Sequence, residues 1–177
     1  TLQCSVIVMY CMCNESFFFF LWYGDQPELN PFPTRRPSQP KGSTAKNTIG
    51  KAYRGAYNNT NAPTLAALAI EEAVARSGAS KDQIDDVIMG AALQQGTTGG
   101  NIGRLSAMAA GLPKTVSGMS IDRQCSSGMM AIATAAKQII CDGMEITIGG
   151  GVESISLVQN EKMNVHRMVD KALIAKQ

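Results

Sequence analysis

The run Asp122-Arg123-Gln124-Cys125-Ser126-Ser127-Gly128-Met129 sets a cysteine between a predicted strand and an alanine-rich helix. A thiol at a helix N-terminus faces unpaired backbone N–H groups and the positive end of the helix dipole, which together favour thiolate over thiol. That environment suits a nucleophile. It equally suits a buried cysteine that begins a helix without reacting, since free cysteine packs well in protein interiors.

The elements that must position this cysteine alternate in a regular α/β order. Asn61 and Pro63 mark a helix start, Leu65, Leu68, Ala69 and Ala73 share a predicted face, and Gly78 is a stop signal. Val87-Ile88-Met89 reads as a short buried strand. Residues 94–100 form a polar, glycine-rich loop, and Ile102, Leu105 and Ala109 then suggest a helix ending at Gly111-Leu112-Pro113. A strand over 116–121 leads into Cys125, and a helix follows from about Ser126 to Cys141. Its Ala131/Ile132, Ala135/Ala136 and Ile139/Ile140 pairs recur every four residues, and its small residues suit a helix enclosed between sheets. Gly143 ends it, and Ile146-Thr147-Ile148 forms a further strand. The alternation predicts a layered sheet with crossover helices.

Four segments, taken in order, resemble the N-terminal part of the thiolase family. They are Ser43-Thr44-Ala45 with Ile49-Gly50-Lys51-Ala52; Gln95-Gly96 through Gly103-Arg104; Arg123-Gln124-Cys125-Ser126-Ser127-Gly128; and Gly149-Gly150-Gly151-Val152-Glu153-Ser154. The resemblance implies a layered αβαβα fold, of which this chain carries the N-terminal half only. It divides the chain into a non-family, irregular extension over 1–42, a thiolase N-terminal domain over 43–156, and the start of a loop domain over 157–177. It also implies acyl transfer between coenzyme A thioesters, with Cys125 accepting the acyl group and its own backbone N–H as a candidate oxyanion donor. Ser126 and Ser127 are expected to shape the helix start rather than react. Short acyl substrates such as acetyl-CoA are the family default. No cofactor is expected, the coenzyme A thioesters being substrates, and the residues of a coenzyme A site stay unassigned. A homodimer or homotetramer is implied, with the 116–121 strand near the contact.

Thiolase chemistry also needs a base for the thiol and a second acid/base for the α-proton, which the family draws from its C-terminal half. The single histidine, His166 in Asn164-Val165-His166-Arg167, falls where the family begins its loop domain and reads as a loop residue. Cys141 sits at the far end of the nucleophile's helix, about 24 Å from Cys125 at the helical rise, and reads as a packed core thiol. The isolated chain is therefore expected to be an incomplete, inactive piece. Two rival readings stand beside this: a ketoacyl-synthase-like condensing enzyme, and a non-catalytic thiolase-like chain that associates with a full-length subunit.

Bulk properties narrow the rest. A net charge of +2 over 177 residues gives no reason to expect nucleic acid or an anionic membrane as a partner. Five cysteines without disulfide-scaffold density favour a reducing, cytoplasmic setting. Cys4 and Cys11-Met12-Cys13 are followed by no second Cys or His cluster, so no metal site is expected. The apolar runs 4–13 and 17–23 are too short to span a bilayer as helices, and the prolines at 27, 31, 33, 37 and 40 describe an extended linker. A weaker alternative makes Ser5-Val6-Ile7-Val8-Met9 the first strand of the fold. The loop at 96–103 fits neither a dinucleotide fingerprint nor a P-loop and reads as a turn before a helix, and Gly149-Gly150-Gly151 reads as close packing.

Overall fold

The computed structural model describes residues 3–12, 16–25, 57 and 59–158. Five strands form one sheet in the order β2-β1-β5-β3-β4. They are β1 (Gln3–Met12), β2 (Ser16–Asp25), β3 (Asp86–Gly90), β4 (Ser117–Ile121) and β5 (Ile146–Gly151). β1, β5, β3 and β4 run parallel, whereas β2 turns back antiparallel on β1 and forms one edge. Both β1 and β2 lie within residues 1–42, the stretch read from sequence as an irregular extension. Ser5 through Val8 pair with Ile146 through Gly149, so the segment named in the weaker alternative is a strand of the sheet. The proline-rich stretch and residues 159–177, including His166, lie outside the described residues.

The sheet owes its two covered faces to the period of two along each strand. Val87 and Met89 of β3, with Ile146 and Ile148 of β5, enter a core shared with α1 (Ala62–Ser77) and α2 (Ile102–Ala109). Ile88 points the other way, against Ala131 and Ala135 of α3 (Ser127–Asp142). On that same face the Thr147 hydroxyl donates to the Ala135 carbonyl at 3.0 Å. β3 is the centre of the arrangement: all five of its residues are buried. Near-continuous apolar strands of this kind are what a parallel sheet between helix layers requires.

Local signals account for most element ends. α1 starts after Asn61 with Pro63 in its first turn and stops at Gly78, which takes the left-handed conformation with φ 72°. α3 stops the same way at Gly143, φ 73°. Asn101 caps α2 by accepting from the Arg104 N–H at 3.0 Å, and its amide donates to the Gly118 carbonyl at 2.7 Å. Arg104 itself donates to the carbonyls of Val116 and Lys114, binding α2 to the entry of β4. The glycine-rich loop at 96–103 is thus a supporting element: a short 3-10 turn (Gly96–Thr98) followed by a capped helix.

Two packing expectations are corrected. Leu68 is 46% exposed, because it shares the outer side of α1 with Glu71 and Glu72. Leu105 and Ala109 are likewise exposed, since α2 turns Ile102, Gly103, Ser106 and Ala107 inward instead. One sheet covers α3 among the described residues, and Met129 and Ile140 stand 60% and 66% exposed on its other side.

Candidate active site

The site is built at the carboxyl ends of β3, β4 and β5, where parallel sheets offer their crevices. β4 delivers the chain at Ile121, a five-residue turn follows, and α3 begins at Ser127. Cys125 occupies this turn, two residues before the helix, and is exposed.

The turn is strongly determined. Gln124 adopts φ 51°, the sole non-glycine positive φ among the described residues. Non-glycine residues avoid that region, and such strain persists only where neighbours fix it. Here the neighbours are visible. The Asp122 carboxylate accepts from the Gln124 N–H at 2.8 Å. The buried Ser127 hydroxyl accepts from the Arg123 N–H at 2.8 Å and donates to the Gln124 carbonyl at 2.6 Å. Backbone bonds from Ser126 to Arg123 (3.1 Å) and from Ser127 to Gln124 (3.0 Å) complete it. A sharp strand-to-helix turn of this sort lifts one side chain out of the packed core, the logic by which nucleophile elbows present a reactive atom.

The floor beneath the turn is made of close backbone contacts. A Cβ on Gly90 would lie 2.5 Å from the Gly128 nitrogen and closer still to the Ser127 carbonyl. A Cβ on Gly149 would lie 2.9 Å from the Ile132 Cα, and one on Gly151 3.0 Å from the Gly128 Cα. Gly149 and Gly151 therefore serve as the packing surface for α3.

A small cavity of about 10 Å³ opens between these parts. Gly90 lines it from the end of β3 and Ala92 from just beyond, Gln124 and Cys125 from the turn, Ser127 and Gly128 from α3, and Val152 and Glu153 from just past β5. Glu153 is the sole carboxylate on its wall. Its Oε1 accepts from the Ala92 N–H, while its Oε2 is buried with no partner among the described residues. Burial pushes the Glu153 carboxyl above the ordinary glutamate range; hydrogen bonds from the Ala92 and Leu93 N–H groups oppose this, and the nearby Asp122 charge adds to it.

Of the residues singled out from sequence, Cys125, Ser127 and Gly128 come together here, with Ser127 shaping the helix start as expected. Cys141 does not join them, and it is exposed rather than a packed core thiol, because it follows Ile140 on the open side of α3. Glu153 was visible as part of a motif, yet its role was missed. The available signal was a lone acid placed directly after a fully buried strand, where a carboxylate needs a partner. No group of three or more potential metal ligands occurs among the described residues.

This strand-to-helix turn on a parallel sheet belongs to a known class. A family model described as "Thiolase, N-terminal domain" matches residues 43–175, and the chain belongs to the thiolase family. It is 37% identical over 116 residues to the 3-ketoacyl-CoA thiolase of Bacillus subtilis, covering 66% of this chain and 30% of that protein. It is 40% identical over 109 residues to the beta-ketoadipyl-CoA thiolase of Pseudomonas aeruginosa, covering 61% and 27%. The crystal structure of the Bacillus anthracis acetyl-CoA acetyltransferase superposes with a TM-score of 0.57 at 39% identity, over 66% of this chain and 30% of that one. The chain thus spans about 30% of the length of these relatives.

Proposed function

We propose that this chain carries the nucleophile-bearing part of a thiolase-type acyl-CoA C-acyltransferase, with Cys125 accepting the acyl group. The observation that carries the reading is the strained, multiply bonded turn that presents an exposed thiol two residues ahead of α3. Cys125 Sγ attacks the thioester carbonyl, the carbon–sulfur bond to coenzyme A breaks, and the thiol of coenzyme A leaves with the proton. The Cys125 N–H is the candidate donor to the oxyanion, while the N–H groups of Ser126 and Ser127 are bonded within the turn. Residues 43–156 form the N-terminal domain of this machinery, and residues 157–177 open its loop domain. The substrates are short acyl-CoA thioesters of the acetyl-CoA kind.

The second half-reaction needs an acid/base at the α-carbon. Cys141, at the far end of α3, is too remote to supply it. We therefore infer that the 177-residue chain forms an acyl-enzyme at most and does not turn over. The runner-up is a non-catalytic chain that associates with a full-length thiolase subunit. β4 is an edge strand among the described residues and offers unpaired backbone groups for association with a second copy, which supports a homodimer or homotetramer. No helix among the described residues is long and apolar enough to cross a membrane. Two exposed free thiols, Cys125 and Cys141, favour a reducing compartment such as the cytoplasm.

The test is intact-mass analysis with peptide mapping after exposure to acetyl-CoA. An acetyl adduct on Cys125, absent in Cys125→Ser and retained in Cys141→Ser, is the expected result. No adduct on natively folded protein rejects the nucleophile and leaves the association reading. Concentration-proportional steady-state turnover refutes the claim that the chain lacks its second acid/base.

A further inference from the structure

We propose that Glu153 is a positioning residue for Cys125, clamping the end of β5 to the backbone beyond β3 and so fixing the floor on which the 122–126 turn rests. The inference rests on the reading of Cys125 as the nucleophile. Four segments meet at the cavity, and backbone pairing already joins three of them: the Ala91 N–H donates to the Ile121 carbonyl at 3.0 Å, and the Val152 N–H to the Gly90 carbonyl at 3.0 Å. Beyond those bonds the strands diverge into loops. Glu153 is the side chain that spans the gap, through Oε1 to the Ala92 N–H.

The second oxygen makes this more than a loop tie. Oε2 is buried with no hydrogen-bond partner among the described residues, which is costly, and Glu153 and Cys125 line the same small cavity. A surface tie would leave that oxygen in water. The charged groups around it are few: Asp122 lies on the turn, and the Arg123 guanidinium is directed to the Met130 sulfur at 3.4 Å, along α3. Burial and the Asp122 charge raise the Glu153 carboxyl, while the N–H groups of Ala92 and Leu93 lower it. A glutamine keeps a side-chain carbonyl oxygen of the same reach for the Ala92 N–H, whereas an alanine has none and an aspartate falls short of it.

The experiment alkylates the full chain with iodoacetamide at pH 7 and reads the Cys125 to Cys141 labelling-rate ratio by peptide mapping. Both thiols are exposed and sit at opposite ends of α3, so Cys141 is an internal reference for general loosening of the helix. E153A and E153D are expected to lower the ratio at least about fivefold, as misplacement of a reacting group does. E153Q is expected to keep it within about twofold, the range of a neutral substitution. A ratio within twofold in E153A or E153D overturns the proposal, as does a fall in E153Q matching theirs. Should E153A and E153D lose their native circular dichroism, E153Q decides alone: native spectrum and native ratio support the clamp, and loss of either overturns it. Acetylation of wild-type Cys125 by acetyl-CoA is scored separately, so acyl transfer and positioning fail independently.

Discussion

Gly90→Ala is the sharpest test of how the site is held. The added methyl would meet the Ser127 carbonyl and the Gly128 nitrogen, all backbone atoms of the first turn of α3. No rotamer change relieves such a contact. Restoring ordinary separation asks the helix start to retreat by about 1 Å or more. That retreat is resisted by Gly128 against Gly151 and by Ile132 against Gly149, so the cost is expected at the upper end of overpacking, about 3 kcal/mol. The same displacement carries Cys125 with it. Urea unfolding followed by circular dichroism reads the first effect, and the Cys125 to Cys141 alkylation ratio reads the second. Gly78→Ala is the control: no atom lies within 4 Å of its added methyl, but its φ of 72° makes alanine cost roughly 1 kcal/mol with no change at Cys125. Gly90→Ala with stability within about 0.5 kcal/mol of wild type and an unchanged ratio would refute the close-packed floor.

Three further outcomes follow from the same geometry. Ser127→Ala removes the hydroxyl that bonds both Arg123 and Gln124, and is expected to cost about 1–3 kcal/mol in urea unfolding and to lower Cys125 labelling. Asn101→Ala removes a helix cap and the link to Gly118, for a loss of roughly 1 kcal/mol with labelling unchanged, so a change at Cys125 there would contradict the supporting role of α2. The raised Glu153 carboxyl makes the folded state bind its proton more tightly than the unfolded chain. Its contribution is therefore fully present below the ordinary glutamate range and declines as pH rises through the folded value. The urea midpoint of wild type should fall over that window relative to Glu153→Gln; parallel midpoint curves for the two proteins would remove the linkage.

Much of the fold could be read from local chemistry. Gly78 and Gly143 sit where a left-handed helix end is needed, and the buried run around Val87-Ile88-Met89 required helices on both faces. The layout of the candidate site was half legible. Cys125 follows from strand, turn and helix, and Ser127 from its place at the helix start. Non-local contacts were not legible. The parallel register of β1 on β5 joins residues about 140 positions apart, and no pattern within Ser5 through Val8 names its partner. Periodicity in α3 tells which residues share a face but not how many faces are covered, which is why Cys141 was expected to be packed and is exposed. Leu68 and Leu105 were misplaced for a related reason: apolar residues at helical spacing outnumber the positions one interface can cover. Glu153 was hidden because its partner is the backbone of Ala92, and backbone donors carry no sequence signature.

The position of β3 has a consequence for how the molecule opens. It is hydrogen-bonded on both sides, to β5 and β4, and buried along its whole length, so its amides should be among the last to exchange with solvent. β4, paired on one side among the described residues and only partly buried, should exchange much earlier. The thiol is therefore hung from a readily released strand and seated over a nearly permanent one. Local opening at β4 would swing Cys125 away from its floor while Gly90 and Glu153 stay in place, so reactivity at the thiol can be lost and regained without unfolding the domain.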